Sequence, residues 1–155
     1  MATTKALYGT STAVTITLNG LANGSSRESA ALVNTTNLFL DAMLYVAVTL
    51  AAGTPADGID VYLAGSEDGT NYDDNVTGAD AAITLRSPTN LALIGRIQTA
   101  TAGGLVWKKT FASVAAAFGG VLPRKWSVVI SNQTGLAFAG SGNAVTYTGI
   151  NASHV

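Results

Sequence analysis

Short runs in which apolar and polar residues alternate recur along the chain. In Val14–Leu18, three apolar residues alternate with two threonines, and Ile59–Leu63 and Trp126–Ile130 repeat the same period. A period of two predicts strands that bury one face. Eight runs are predicted to be strands: Val14–Leu18, Glu28–Val33, Leu38–Leu50, Ile59–Leu63, Leu91–Thr99, Leu105–Val114, Trp126–Ile130 and Val145–Thr148.

The longest of these runs, Leu38–Leu50, is mostly apolar at both its even-numbered and its odd-numbered positions. Its even positions hold leucine, valine and alanine, and Phe39, Met43 and Tyr45 stand at odd positions. The apolar residues at alternate positions, together with the β-branched and aromatic content, favour a strand over a helix. We therefore expect a central strand with one face on the core and the other under neighbouring loops or another subunit.

Turn signals separate the predicted strands, and they favour tight hairpins because Asn-Gly and Asp-Gly supply positive φ. These signals are Asn19-Gly20, Asn23-Gly24, Asp57-Gly58, Asp68-Gly69, Gly103-Gly104, Gly119-Gly120 and Gly140-Ser141-Gly142. The pattern predicts an all-β fold: a single-domain antiparallel β-sandwich, jelly-roll-like, of about eight strands. Residues 1–11 are expected to be a flexible N-terminal arm before a sandwich domain at 12–155. Ala115–Ala117 is expected to form one helical turn.

Composition and charge exclude several classes of partner. Charged residues make up 11% of the 155 residues and the net charge is −1, so no field attracts nucleic acid or anionic lipid. The most apolar stretch, Leu38–Gly53, contains Asp41 and is shorter than the roughly 20 residues of a spanning helix. Residues 1–12 hold no apolar core of a secretory signal. We expect no nucleic acid partner and no membrane partner.

Candidate chemistry is sparse. The chain has no cysteine and one histidine, His154, next to the C-terminus. These counts argue against thiolate sites, a Ser-His-Asp triad and a typical catalytic zinc site. Trp107 and Trp126 stand beside basic pairs, but on alternating strands they are expected to be core anchors rather than stacking platforms. No catalytic residue, cofactor or metal is predicted, and the chain is expected not to be an enzyme.

Charge is unevenly placed along the chain. Seven of the nine acidic residues fall between Asp57 and Asp80, and two adjacent basic pairs come later. One interpretation is complementary contact between copies, and the other is a solvated hairpin tip that maintains solubility. The candidate assembly contacts are Glu67, Asp68, Asp73, Asp74, Lys108, Lys109, Arg124 and Lys125.

The segment Ser66–Asp74 within this window is rich in the oxygen ligands that calcium prefers. Its spacing departs from an EF-hand loop, because Gly69 comes too early and no acidic residue closes the loop. A hairpin turning at Asp68-Gly69 accounts for the same residues without a metal.

The later part of the chain is nearly free of charge, since no side chain from Trp126 to Ser153 carries a formal charge. Permanent interfaces are depleted in charged residues. We therefore expect a structural component that is held in a stable assembly.

Several segments resemble small all-β virion proteins of tailed bacteriophages. They are Arg27–Ala31 through Asn34–Leu38, then Gly65–Tyr72, Leu93–Ile97, Ser113–Pro123 and Trp126. The resemblance spans about Lys5 to Asn151, and it rests on turn and core residues, so it implies no catalytic residue.

The resemblance implies a capsid decoration or cement protein that binds the major capsid protein on the outer face of the head. It further implies a homo-oligomer, for instance a trimer, and assembly in a host cytoplasm into the virion. Low-charge loops and the N-terminal arm are expected to supply the contacts. The alternative is a tail or fibre-associated module that binds carbohydrate or a receptor through aromatic residues such as Tyr72 or Tyr8.

Overall fold

Two antiparallel sheets face each other in the computed structural model, which describes residues 4–100 and 104–154. Ten strands lie within these ranges: β1 (Thr4–Ala13), β2 (Ser26–Glu28), β3 (Leu32–Val33), β4 (Asp41–Thr49), β5 (Ile59–Ser66), β6 (Ala81–Ile83), β7 (Ala92–Ile97), β8 (Val106–Phe111), β9 (Lys125–Asn132) and β10 (Ala144–His154). A 3₁₀-helix at Ala115–Phe118 confirms the predicted helical turn, and Gly119 ends it in the left-handed conformation. No helix in the described ranges is long and apolar enough to cross a membrane.

The strand order is that of a jelly roll. The four-stranded sheet has the order β1-β10-β4-β8, and the six-stranded sheet has the order β6-β2-β9-β5-β7 with β3 also paired to β9. When the short strands β3 and β6 are left out, successive strands change sheet at every connection except the one from β5 to β7. The predicted all-β, jelly-roll-like sandwich is therefore confirmed.

The core lies between the sheets and is built from the inward parity of the central strands. Leu44, Val46 and Val48 of β4 are fully buried opposite Val61 of β5 and Val128 of β9. The alternation of apolar and polar residues in the sequence therefore predicted correctly which side chains of these strands point into the core. The outward face of β4 is different, because Met43 and Tyr45 are only half-buried. Ala47 on the same face is buried, so this face is only partly covered within the described residues.

A second apolar cluster lies on the outer face of the six-stranded sheet, under the segment that follows β5. Ala64, Ile83 and Val129 of the sheet pack there with Val76 and Leu91. The fully buried Glu28 carboxylate fixes the segment: it accepts hydrogen bonds from Thr77 N at 2.8 Å, Thr77 Oγ1 at 2.8 Å and Gly78 N at 3.1 Å. Three donors compensate for removing this carboxylate from water.

Two expectations about the N-terminal region are wrong. From Thr4 onward the expected flexible arm is the edge strand β1, which pairs with β10; residues 1–3 lie outside the described residues. Val14–Leu18 is not a strand but an extended crossover between the sheets. Val14 N donates to Val145 O of β10, whereas Thr15 O accepts from Ala30 N just after β2, at 2.9 Å in both cases.

Other boundaries differ from the sequence pattern in smaller ways. The run Glu28–Val33 is divided between β2 and β3. Ser29 N still donates to Val128 O of β9, but Val128 N donates to Ser29 Oγ, and the Ala30 N–H donates to Thr15 O instead of to β9. The three-residue β6 was not predicted, since its short apolar segment carries no alternation long enough to detect.

Candidate assembly surface

At one end of the sandwich, β3 and two loops carry four of the nine large apolar side chains that the described residues expose. At this end β4 and β9 begin, Ile150 of β10 lies opposite Asp41, and Ser66 of β5 lies opposite Lys125. Loops 34–40 and 119–124 meet here, because Asn34 N donates to Arg124 O at 2.8 Å. We call this end the loop end.

The loop end is held by side-chain hydrogen bonds. Asn34 Nδ2 donates to Phe39 O at 2.9 Å, and Phe39 N donates to Asn34 Oδ1 at 2.8 Å. Asp41 Oδ1 accepts from Ala115 N at 2.8 Å and so fixes the 3₁₀-helix against the start of β4. These hydrogen bonds fix the conformation of the loops.

Leu38 has an uncommon conformation for a leucine. Its φ is 50°, in the left-handed region, and its N–H donates to Asn34 O at 3.0 Å. This region costs a bulky residue of order 1–3 kcal/mol and is retained where the surroundings enforce it. Here the enforced conformation leaves a large apolar side chain in solvent, which is an arrangement found at functional sites.

Four exposed apolar side chains at the loop end form what we call the apolar end patch: Val33, Leu38, Leu40 and Val121. Between 46% and 72% of each residue is exposed. Leu38 lines a cleft of about 380 Å³ together with Asn34, Thr35, Leu122 and Arg124. Several exposed large apolar side chains at one end of a domain, next to polar residues, are typical of a protein interaction site.

The sequence pattern did not locate this patch. It placed Leu38 and Leu40 inside the central strand Leu38–Leu50, whereas β4 begins at Asp41 and both leucines are exposed. The prediction is wrong for these two residues because the chain is still turning at Phe39 around the Asn34 side chain. The polar run Asn34–Asn37 was the available turn signal.

Two of the candidate acidic residues accept hydrogen bonds from other segments of this chain. Asp73 Oδ2 accepts from Gly65 N at 2.8 Å, and Asp74 Oδ2 accepts from Thr89 Oγ1 at 2.6 Å and Asn90 N at 2.8 Å. The Thr89 and Asn90 donors hold the pKa of Asp74 below its usual range, although burial opposes them. Glu67 is exposed.

Other carboxylates of the acidic window are paired with arginines distant in sequence. Arg96 Nε and Nη2 bind the two oxygens of Asp60 at 2.6 and 2.8 Å, and Asp57 joins them, which raises the pKa of Arg96. Asp80 binds Arg27. Burial acts to raise the pKa of Asp80, but the hydrogen bonds from Arg27 and Thr17 lower it overall. Much of the acidic window therefore stabilises this chain internally.

The candidate basic residues lie in different places. Lys108 is exposed on β8, while Lys109 Nζ donates to Arg96 O at 2.8 Å and lies 5.1 Å from the Phe111 ring centroid. Arg124 borders the apolar end patch, and Lys125 lies beside the acidic loop, opposite Ser66. The structure thus brings the Lys125 side chain next to Gly69, and places Lys108 and Lys109 on an edge strand.

Asp68 organises the turn between Ser66 and Asn71. Its Oδ1 accepts from Thr70 N at 2.7 Å, Asn71 N at 2.8 Å and Ser66 Oγ at 3.2 Å, and its Oδ2 accepts from Asn71 Nδ2 at 2.7 Å. Both oxygens are engaged by the loop itself. In the described ranges, no group of three or more metal-ligating side chains is close enough to hold a metal ion.

The same contacts predict a pH dependence of stability. Backbone donation from Asn71 and then Thr70 holds the pKa of Asp68 well below its ordinary value of 3.8. A lowered folded-state pKa contributes stability that is present above the unfolded-state pKa and is lost as pH falls toward the folded-state pKa. Wild type should therefore have a higher unfolding free energy than Asp68→Asn at about pH 5, and this difference should fall by roughly half or more by about pH 2. Urea unfolding at each pH measures this, and a constant difference would contradict it.

Comparisons with known proteins give no family: no protein-family model matches the chain, and no curated protein or solved structure matches it significantly.

Proposed function

We propose that this protein is a capsid decoration protein, which binds the major capsid protein on the outer face of a bacteriophage head and stabilises the shell. The observation that supports the proposal most is the apolar end patch, since β3 and two fixed loops expose four large apolar side chains in a chain with few charges. The resemblance of the sequence to small all-β virion proteins supports the same function.

Binding at the patch would stabilise the shell by mass action. A copy that binds the assembled shell and not the separate subunits shifts the equilibrium toward the assembled form. Burying four half-exposed side chains contributes about 1 kcal/mol each, or ~4 kcal/mol per copy. Immobilising a protein costs about 4 kcal/mol or more. Contacts of the polar rim, where Arg124 lies, must therefore add to the apolar contribution.

Adding the purified protein to heads that lack it tests this function. We expect saturable binding to the outer surface and a rise of several degrees in the temperature at which the heads release DNA. The control is albumin at the same concentration, which should give neither effect. Heads without the protein that already match the heat resistance of decorated heads would contradict the stabilising role.

A carbohydrate-binding module of a tail or fibre is the second candidate, and a cleft at the loop end favours it. Tyr72, Phe118 and Pro123 line this cleft of about 390 Å³ with Asn71 and Asp73. Aromatic faces beside amide and carboxylate groups suit a sugar. Burial, aided by the Glu28 and Asp68 carboxylates, raises the pKa of Tyr72.

The other predicted aromatic residue, Tyr8, is not part of this cleft, because it lies on β1 of the opposite sheet. The structure therefore does not join the two tyrosines into one aromatic surface. Binding on a glycan array that is lost in Tyr72→Ala would favour this candidate over decoration, and silence on the array would count against it.

A further inference from the structure

We propose that two copies of this protein associate through the free edge of β1, whose segment Lys5–Tyr8 pairs antiparallel with the same segment of a second copy. The proposal concerns the isolated protein and is independent of the function proposed above. Each copy would donate and accept main-chain hydrogen bonds, and the two four-stranded sheets would become one continuous sheet.

The first observation is the exposure of β1. All ten of its residues are exposed, and among the described residues only β10 pairs with it. Beyond Ile150, which is the last partner of β4, residues 151–154 of β10 pair with β1 alone. This part is a two-stranded ribbon that extends past the sheet. Such a ribbon is marginally stable by itself, so a further strand would stabilise it.

The second observation is that the other three sheet edges carry features that prevent pairing. The edge strand β6 has three residues, and β7 is interrupted by a register shift at Gly95. The edge strand β8 carries Lys108 and Lys109, and Lys109 reaches across to the backbone of β7. Short strands, irregular pairing and lysines are the usual means of blocking edge-to-edge association.

By contrast, β1 offers a continuous and nearly uncharged segment. It contains no proline, and Lys5 is its only charged residue. Its register shift lies between Tyr8 and Ser11, so the segment before Gly9 is regular. Leu7 and Tyr8 are 56% and 61% exposed, and neighbouring positions point to opposite faces of a strand. Pairing would therefore bury apolar surface on both faces.

A second copy fits this edge because the segment is compatible with itself. In any antiparallel register not centred on Lys5, the lysine faces an uncharged residue of the other copy, so no like charges oppose each other. The net charge of −1 per chain adds little repulsion between copies. Two-fold symmetry uses the β1 edge of both copies, so the assembly stops at a dimer.

Sedimentation equilibrium of the full chain from about 1 to 500 µM tests the proposal. We expect the mass to rise from 15.7 kDa toward twice that value as the concentration increases. The double substitution Leu7→Lys/Tyr8→Lys should raise the dissociation constant at least about tenfold. The matched control is Leu93→Lys on β7, where the leucine is also 56% exposed, and it should leave the dissociation constant unchanged.

A second measurement does not depend on how the variants fold. Amide hydrogen exchange of the wild-type protein should slow at residues 5–8 when the concentration rises through the dimerisation range, and stay constant on β8. A wild-type chain that remains at 15.7 kDa throughout, a trimer, or a dimer that persists in the double variant would each overturn the proposal.

Discussion

Replacing Leu38 and Val121 together with aspartate should weaken binding to capsids by at least about 100-fold, or ~2.7 kcal/mol. Both side chains belong to the apolar end patch and are among the most exposed apolar residues of the chain. Bound to the shell, each new carboxylate would lose water without gaining a partner. Binding is measured by co-sedimentation of labelled protein with heads that lack the natural protein.

The folded domain should tolerate these changes, because substitutions of exposed side chains usually alter stability by about 0.5 kcal/mol or less. Aspartate also adopts the left-handed conformation of position 38 more readily than leucine. The control is Leu93→Asp, which places one aspartate at an exposed leucine of the six-stranded sheet. Equal loss of binding in the control, or full binding by the double variant, would show that the patch is not the contact surface.

Replacing Trp126 with alanine should lower the free energy of unfolding by about 3–5 kcal/mol. Trp126 belongs to β9, is fully buried, and meets Tyr147 of β10 edge to face with the ring centroids 5.6 Å apart. The indole therefore joins the two sheets, and its removal leaves a cavity that neighbouring strands cannot easily fill. The loss is a large part of the roughly 5–15 kcal/mol that stabilises a typical domain.

Urea unfolding followed by circular dichroism measures this effect. The control is Trp107→Ala, which removes the other tryptophan from the edge strand β8, where the side chain is only partly buried. We expect the control to lose clearly less stability than Trp126→Ala. Equal losses in the two variants would contradict the role of Trp126 as the contact between the sheets.

The alternation of side chains predicted the fold class because burial in a sandwich follows the same period of two. Val46 and Val128 are at inward positions, as the pattern indicated. The alternation in Val14–Leu18 is also a burial pattern, since Val14 and Leu18 are buried while Thr15 and Thr17 are exposed. An extended crossover gives the same alternation as a paired strand, so the sequence could not distinguish them.

Charge pairing could not be predicted because the partners are far apart in the chain. Asp80 binds Arg27 across 53 residues, and Asp60 binds Arg96 across 36 residues. Clustering in sequence suggested an acidic surface, whereas the sheet register brings an arginine to each of these carboxylates. The apolar end patch was missed for a related reason, since hydrophobicity alone does not show that Leu38 and Leu40 precede the strand that buries their neighbours.

The most direct test of the decoration function is a cryo-EM reconstruction of intact virions that carry this protein. We predict density for the sandwich in regular array on the outer face of the head, with Leu38 and Val121 directed toward the major capsid protein. Density for the sandwich on the tail alone, or on the head with the loop end directed toward solvent, would contradict the account.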